Sequence, residues 1–493
     1  MNSAKNEYKG IVKATSLFGG VQVFTIIIGI IRSKIVAVLL GTTGVGVLNL
    51  LIVTRSLIMT VTGLGLASSA VRDISEANGT GDIDKISYVL KTFRRWILLT
   101  GFSSFLISLI LSPYLSLWTF GNRDYSWAFA WLSVTCLLAA IASGQSVLLQ
   151  GLRKLRQMAV SSVIGSILGL LTSVPLYYYY GIKGIVPSLI ISSVCSLIVN
   201  YYFSRLIYVK NIRQTWAETW TSGKGMVKLG FVMMLNGLMI TIVSYIVNLY
   251  IGNHGGISEV GLYNSGWTIT NQYTALIFTA MGTDYFPKLS AINSDTKKLK
   301  TAVNQQAEIA VLIMGPMLVL LIGFASLVVY ILYTDKFMPI TGMIKWNMLG
   351  MLFKASSWAM AFTIIAKGDN KIFFITETSA NMIILALNLL GYYLFGLSGI
   401  GISFTVSYII YFTIILYVVK KRYSVTYDNI FLKLFSIQLL LVITTFILAL
   451  FFSSYYIYVI SGFLFAISVL FSLYEMHKRL DLRIILNLFG FKK

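Results

Sequence analysis

Five basic residues lie inside long apolar stretches of the sequence, where a charge needs a specific reason to be present. They are Arg32, Lys34, Arg55, Lys345 and Lys354. A cation at the centre of a bilayer costs about 3 kcal/mol on insertion scales, and no Asp or Glu lies in the middle of these stretches to pair with it. We therefore hypothesise that the five cations line a central cationic cavity that holds an anionic substrate, with both halves of the chain contributing.

The competing interpretation is snorkelling, in which a long basic side chain reaches the membrane surface. Residues two apart on a helix point about 200° apart, and residues nine apart about 180° apart, so neither Arg32 with Lys34 nor Lys345 with Lys354 can face the cavity together. Lys34 and Lys345 lie nearer the outer surface and can snorkel. Arg55 and Lys354 lie too deep to do so, and the cavity hypothesis depends mainly on them.

Three carboxylates fall within about a turn or two of the ends of apolar stretches. They are Asp284, Glu308 and Glu377. Each is a candidate site for coupling to a proton or sodium gradient. The alternative is an ordinary carboxylate at the membrane interface, and the sequence leaves both open.

The elements that carry these residues follow from the composition. The chain has 493 residues, of which 57% are hydrophobic and 11% charged, with a mean hydropathy of +0.80. Soluble proteins carry about 25% charged residues, so an ordinary soluble enzyme is excluded. Only two cysteines and two histidines are present, and no phosphate-binding loop or zinc motif occurs. We expect no cofactor and no metal, and an all-α polytopic membrane protein.

A helix needs about 20 apolar residues to cross the hydrocarbon core of a bilayer. The sequence predicts about 14 such spans, and an even number places both termini on one side of the membrane. The predicted spans are 14–38, 45–66, 96–116, 126–150, 157–180, 184–204, 228–252, 260–283, 308–333, 339–366, 372–395, 398–419, 434–452 and 455–474.

The loops between these spans differ sharply in charge. Of the 39 Lys and Arg residues, 31 fall on the side of the N-terminus, whereas the opposite side holds Arg123, Lys183 and Lys336. This bias predicts that both termini are cytoplasmic. It also accounts for most of the net charge of +22, so nucleic-acid binding, the usual meaning of a basic protein, is not needed to explain it.

A weak internal repeat divides the chain. The segment VGVLN at 45–49 matches VGLYN at 260–264, at an offset of 215 residues. Together with the span count, this predicts two pseudo-symmetric six-helix lobes around a central pathway. The lobes are residues 1–210 and 211–425, followed by a C-terminal hairpin and basic tail at 426–493.

Three segments resemble one known family. They are KATSLFGGVQVFTIIIGIIRSKIVAVLLGTTGVGVLN at the start, SEVGLYNSGWTITNQY with the later FPKLS, and KFMPITGMIKWNMLGMLFKASSWAMAFTIIAKGDNKIFFITETSANM. Their basic residues, the Ala-Val pair, the LGxxGxG pattern and the acid at Glu377 resemble the Wzx-type polysaccharide flippases. These belong to the multidrug/oligosaccharidyl-lipid/polysaccharide exporter superfamily, and the similarity covers about residues 1–425.

The resemblance implies a function. Such flippases move undecaprenyl-diphosphate-linked oligosaccharide repeat units across the bacterial inner membrane by alternating access, with a cation gradient as driver. It also implies a polysaccharide polymerase and chain-length proteins as partners. Lys34 falls where the common-antigen branch has a basic residue, and Arg32 where the peptidoglycan-precursor branch has one. Because Arg55 lacks the neighbouring arginines of the second branch, O-antigen, common-antigen or capsule units are favoured over lipid II.

Rival functions make different demands on the sequence. A drug/cation antiporter of the same superfamily needs acidic residues in the early spans, where this chain has cations. A glycan polymerase or ligase needs a large external loop with catalytic groups, and the loop near 117–126 holds only Arg123 and Asp124. A membrane scaffold would not need deep cations.

Overall fold

The computed structural model describes the backbone of residues 2–207, 210–452 and 456–479. Side chains are described from residue 24 onward, apart from positions 236, 273, 276, 279–284, 287 and 479. Throughout this part of the chain the regular structure is helical. Fifteen helices are α1 Asn2–Thr62, α2 Leu66–Gly79, α3 Ile83–Ile110, α4 Ser112–Phe120, α5 Ser126–Gly151, α6 Leu155–Tyr180, α7 Ile185–Arg205, α8 Trp216–Gly255, α9 Ile257–Ala291, α10 Thr296–Gly323, α11 Ala325–Leu332, α12 Thr341–Ala366, α13 Asn370–Tyr423, α14 Asn429–Phe451 and α15 Tyr456–Arg479.

Many of these helices are long enough to cross a membrane. In the described residues, nine helical stretches have the length and apolar composition of a span, or up to ten when the bent pair Trp216–Leu235 and Gly237–Gly255 is taken as one span. The expectation of an all-helical polytopic membrane protein is therefore confirmed. Phe24–Thr62, Leu155–Arg205 and Asn370–Tyr423 contain 39, 51 and 54 residues, well beyond the roughly 20 residues that one crossing needs.

Two of these long stretches bend at a glycine. Gly41 in α1 has φ 64° and Gly396 in α13 has φ 60°, a left-handed conformation that glycine adopts without steric cost. Both lie where the sequence predicts a boundary between spans, between 38 and 45 and between 395 and 398. The total of 14 spans stays a prediction.

Residues Met1–Gly261 form one compact unit. Its short helix α2 is amphipathic, and the residues it buries follow helical spacing, for example Leu66, Ala70 and Ile74. They pack with Phe93 of α3 and Leu148 of α5 in a hydrophobic cluster. Met226 of α8 also belongs to this cluster, and α8 begins at a capping box formed by Thr215 and Glu218.

Residues Leu262–Lys493 form the second compact unit. Its helix α12 packs against α10, α13 and α14. Most of its 26 residues are buried, including Met343, Met351, Ala355 and Ile364. Lys345 and Lys354, the charged residues of α12, are half-buried and lie at its less enclosed positions.

The boundary between the compact units falls at 261/262, whereas the sequence predicts a lobe boundary at 210/211. The compact unit thus groups α8 with the seven helices before it. Packing alone does not define the symmetry of a repeat, and the lobes 1–210 and 211–425 with the hairpin 426–493 stay predictions.

Candidate functional site

In the first unit, Arg55 lies half-buried on α1, beyond the bend at Gly41. Its Nε atom is buried and has no hydrogen-bond partner among the described residues. A guanidinium donates up to five hydrogen bonds, and a buried donor without an acceptor is costly. Arg55 therefore retains unused capacity to bind an acceptor such as a phosphate oxygen.

A polar cluster fixes the helix next to Arg55. The Oγ1 atom of Thr54 donates to the carbonyl of Leu50 at 2.7 Å and lies 3.3 Å from Oγ1 of Thr119. Thr119 lies in turn 3.3 Å from the hydroxyl of Tyr245 on α8. These bonds hold α1, α4 and α8 together at the level of Arg55.

The other two cations of α1 precede its bend. Arg32 and Lys34 are both half-buried, and their spacing turns them about 200° apart on the helix. The structure does not bring them together on one face. A substrate contact by either residue stays a prediction.

In the second unit, Lys345 on α12 has a defined partner. Its Nζ atom donates to the carbonyl of Ala449 at 2.6 Å, in the last turn of α14. Carbonyls in the last turn of a helix lack intrahelical partners and carry partial negative charge. Lys345 thus links α12 to the end of α14 in this structure, an arrangement that neither the cavity nor the snorkelling interpretation anticipates. Its predicted substrate contact would require this bond to open.

Lys354, nine residues further along α12, lies among aromatic rings. Its Nζ atom is 5.7 Å from the ring centroid of Phe278, 5.8 Å from that of Phe404 and 5.3 Å from that of Tyr408. We call these three rings the Lys354 cage. Within the described residues, no carboxylate forms an ion pair with Lys354. The ammonium is thus stabilised by cation–π attraction without being neutralised.

The cage is joined to Glu377. The ring of Tyr408 lies edge-on to that of Tyr411, with centroids 6.3 Å apart and an interplanar angle of 89°. The hydroxyl of Tyr411 donates a hydrogen bond to Oε1 of Glu377. A cation and a carboxylate therefore belong to one side-chain cluster, connected through two tyrosines, and they form no ion pair with each other.

The other two candidate carboxylates lie elsewhere. Glu308 on α10 is 6% exposed and lines a cavity of about 560 Å³ together with Lys288, Lys300 and Asp428. Asp284 belongs to α9, but its side chain lies outside the described residues. Ion coupling at Glu308, Glu377 or Asp284 stays a prediction.

The sequence analysis did not identify the aromatic residues of this cluster. Phe404, Tyr408 and Tyr411 are spaced four and three residues apart, which places them on one face of α13. That periodicity was visible in the sequence, but any buried helix face has the same spacing. Only the packing of α13 on α12 shows that this face meets Lys354.

Comparison with known proteins identifies the family. The profile of the polysaccharide biosynthesis protein family matches residues 35–342, which is more than half of the chain. The lipid III flippase of Escherichia coli (strain K12) is 19% identical over 398 residues, covering 78% of this chain and 92% of that protein. The resemblance to polysaccharide flippases that the sequence shows is thereby confirmed.

Solved structures show the same fold. The lipid II flippase MurJ in an inward closed conformation has a TM-score of 0.71 at 14% identity, over 94% of this chain and 99% of that one. An inward-facing multidrug resistance MATE family transporter has a TM-score of 0.64 at 16% identity, over 84% and 94%. The chain belongs to the polysaccharide biosynthesis protein family and is a multi-pass membrane transporter rather than an enzyme.

Proposed function

We propose that this protein is a flippase that moves undecaprenyl-diphosphate-linked oligosaccharide repeat units across the bacterial inner membrane. The observation that carries the proposal is Lys354, an ammonium within the second unit that has aromatic neighbours but no ion-paired carboxylate among the described residues. A deep cation that is left unneutralised suits an anionic headgroup. The similarity to a lipid III flippase supports the same substrate class.

The proposed architecture has 14 transmembrane helices. Residues 1–210 and 211–425 form two six-helix lobes, and 426–493 form a hairpin and tail, with both termini in the cytoplasm. The bends at Gly41 and Gly396 support this count, because each divides one long helix into two lengths that can cross a bilayer. Alternating access of the two lobes would then expose the substrate to one side at a time.

Each deep cation has a role in this proposal. Arg55 binds phosphate oxygens bidentately through its planar guanidinium, and Lys354 acts as a mobile point charge. Arg32, Lys34 and Lys345 are the secondary candidates of the cationic cavity. Together they lower the barrier for a polar headgroup in an apolar layer about 30 Å thick, while the prenyl chain stays in lipid. The glycan is of the O-antigen, common-antigen or capsule type.

A proton or sodium gradient is the proposed driver, with Glu377, Glu308 and Asp284 as candidate coupling residues. A polysaccharide polymerase and chain-length proteins are the proposed partners, because a translocated repeat unit must next be joined to a growing chain.

The second candidate function is drug/cation antiport, favoured by the fold shared with a multidrug resistance transporter. The deep charges argue against it, since Arg55 and Lys354 would repel a cationic drug. A fold alone does not define a function, so the substrate must be tested directly.

The test is flipping in proteoliposomes. We expect the wild-type protein to translocate a fluorescent prenyl-diphosphate oligosaccharide and the Arg55→Ala and Lys354→Ala variants to do so at least about tenfold more slowly, which corresponds to the loss of a charge-assisted contact. Lys420→Ala, at an exposed cation near the end of α13, is the matched control and should flip normally. Export of cationic dyes with no lipid flipping would contradict the proposal in favour of antiport.

A further inference from the structure

The side chains around Lys354 include the carboxylate of Glu377, which forms no ion pair with Lys354. Lys354 lies over the ring of Tyr408. The neighbouring Tyr411 donates a hydrogen bond through its hydroxyl to Glu377. In a low-dielectric interior an ammonium and a carboxylate attract strongly. A direct ion pair would therefore be the simplest way to stabilise both groups, yet each group contacts a tyrosine instead.

The Lys354 ammonium and the Glu377 carboxylate each have a different partner in place of an ion pair with each other. Three aromatic rings surround the ammonium, and cation–π attraction of this kind is electrostatic but leaves the charge in place. The carboxylate instead receives a hydroxyl hydrogen bond, which is strong because the acceptor is charged. Among the described residues Lys354 thus has no ion-paired carboxylate, and Glu377 is held by a hydroxyl donor.

The rings themselves are held in position by further packing. The ring centroids of Tyr408 and Phe404 are 4.7 Å apart. The ring of Phe404 meets that of Trp267 edge-on, with their centroids 5.8 Å apart. Tyr411 lies one turn beyond Tyr408 on α13. The rings that connect Lys354 to Glu377 are therefore packed against one another on α13 and against Trp267 of α9.

We propose that Tyr411 is a positioning residue that sequesters Glu377, so that the ammonium of Lys354 stays available for the anionic prenyl-diphosphate headgroup. This inference rests on the proposed function. Without the Tyr411 hydroxyl, the carboxylate of Glu377 is released, attracts Lys354 and repels the phosphates. The headgroup then competes with an internal anion, and its affinity falls.

The experiment measures binding of farnesyl diphosphate to the purified full-length protein in detergent by titration calorimetry, with farnesol as the uncharged comparison. Tyr411→Phe removes only a hydroxyl, and we expect its Kd for farnesyl diphosphate to rise about three- to tenfold. Glu377→Gln removes the competing charge, and the double variant Tyr411→Phe/Glu377→Gln removes both. We expect both of these to bind within about twofold of wild type. Tyr393→Phe, at an exposed tyrosine of the same helix, is the matched control.

Recovery of affinity in the double variant is the decisive result, because a tyrosine that merely supported the fold would not be rescued by neutralising Glu377. Wild-type affinity in Tyr411→Phe overturns the inference and leaves the proposed function standing. Equal losses in Tyr411→Phe, Glu377→Gln and the double variant also overturn it, since the bond would then be purely structural. A wild-type protein that does not distinguish farnesyl diphosphate from farnesol overturns the headgroup site itself, and the inference with it.

Discussion

Two lysines on α12 have different partners although they are only nine residues apart. Lys345 donates to the carbonyl of Ala449, whereas Lys354 faces three aromatic rings. The first contact satisfies a carbonyl at the end of a helix. The second leaves a positive charge without an ion-paired carboxylate among the described residues. The two residues are therefore expected to differ in what they contribute to stability and to binding.

Lys345→Met and Lys354→Met separate these contributions. We expect Lys345→Met to lower the free energy of unfolding by about 1–3 kcal/mol, because a buried carbonyl loses its charged donor. Lys354→Met should change stability little, since losing the cation–π attraction is offset by removing a poorly solvated charge, but it should abolish binding of farnesyl diphosphate. Thermal unfolding in detergent measures the stability of both variants, and calorimetric titration measures their binding of farnesyl diphosphate. The opposite assignment, with Lys354→Met unstable and Lys345→Met unable to bind, would refute this distinction.

At the scale of the element, the bend of α13 depends on one backbone conformation. Gly396 has φ 60°, and a Cβ added there would meet no atom within 4 Å. Gly462 in α15 is equally uncrowded but has no such conformation. The two glycines therefore differ in backbone geometry and not in available space.

Substitution by alanine isolates that difference. Gly396→Ala should destabilise the protein by about 1–2 kcal/mol, the cost of placing an L-residue in the left-handed region. Gly462→Ala should stabilise it by about 0.5–1 kcal/mol, because alanine is the better helix former. Denaturant unfolding of both variants provides the comparison. Equal effects would mean that the bend at Gly396 is not under backbone constraint.

The two ends of α13 meet at Asp369, just before its first residue. The carboxylate accepts hydrogen bonds from the backbone N–H of Ile372 at 3.3 Å, from Nε of Arg422 at 2.9 Å and from the hydroxyl of Tyr423 at 3.0 Å. Desolvation acts to raise the pKa of Asp369, but the contacts with Ile372, Tyr423 and Arg422 outweigh it and the net pKa is lowered.

A lowered carboxyl pKa predicts the direction of the pH dependence. The stabilisation is fully present above the unfolded-state pKa, about 3.9, and is lost as the pH falls through the lower folded-state value. Asp369→Asn should therefore be less stable than wild type at pH 7, and the difference should shrink below about pH 4. Unfolding midpoints measured from pH 3 to pH 7 test this. A difference that is constant with pH would show that the charge of Asp369 contributes nothing.

At the scale of the whole molecule, the sequence was sufficient for the membrane class and the family. Apolar length alone predicts membrane helices, and Gly41 and Gly396 fall at predicted span boundaries because glycine is the residue that tolerates those bends. The membership in a polysaccharide transporter family followed from recognisable segments, and the profile match confirms it.

The partners of the deep residues could not be predicted in this way. Lys345 and Lys354 look alike in sequence, and their partners Ala449 and Phe278 are far from them along the chain. Such contacts arise from helix packing, which hydrophobic periodicity does not specify. The pairing of Tyr411 with Glu377 likewise joins two parts of α13 that meet only because the helix bends between them.

The central claim is that a deep cation recognises a charged lipid headgroup, and its most direct test is the charge dependence of flipping. Proteoliposomes would carry either wild-type protein or Lys354→Gln, with a prenyl-diphosphate oligosaccharide or a neutral prenyl glycoside of the same sugar as substrate. We predict that wild type flips the diphosphate lipid at least about tenfold faster than the neutral one, and that Lys354→Gln loses this preference. Equal preference in wild type and Lys354→Gln would contradict the account.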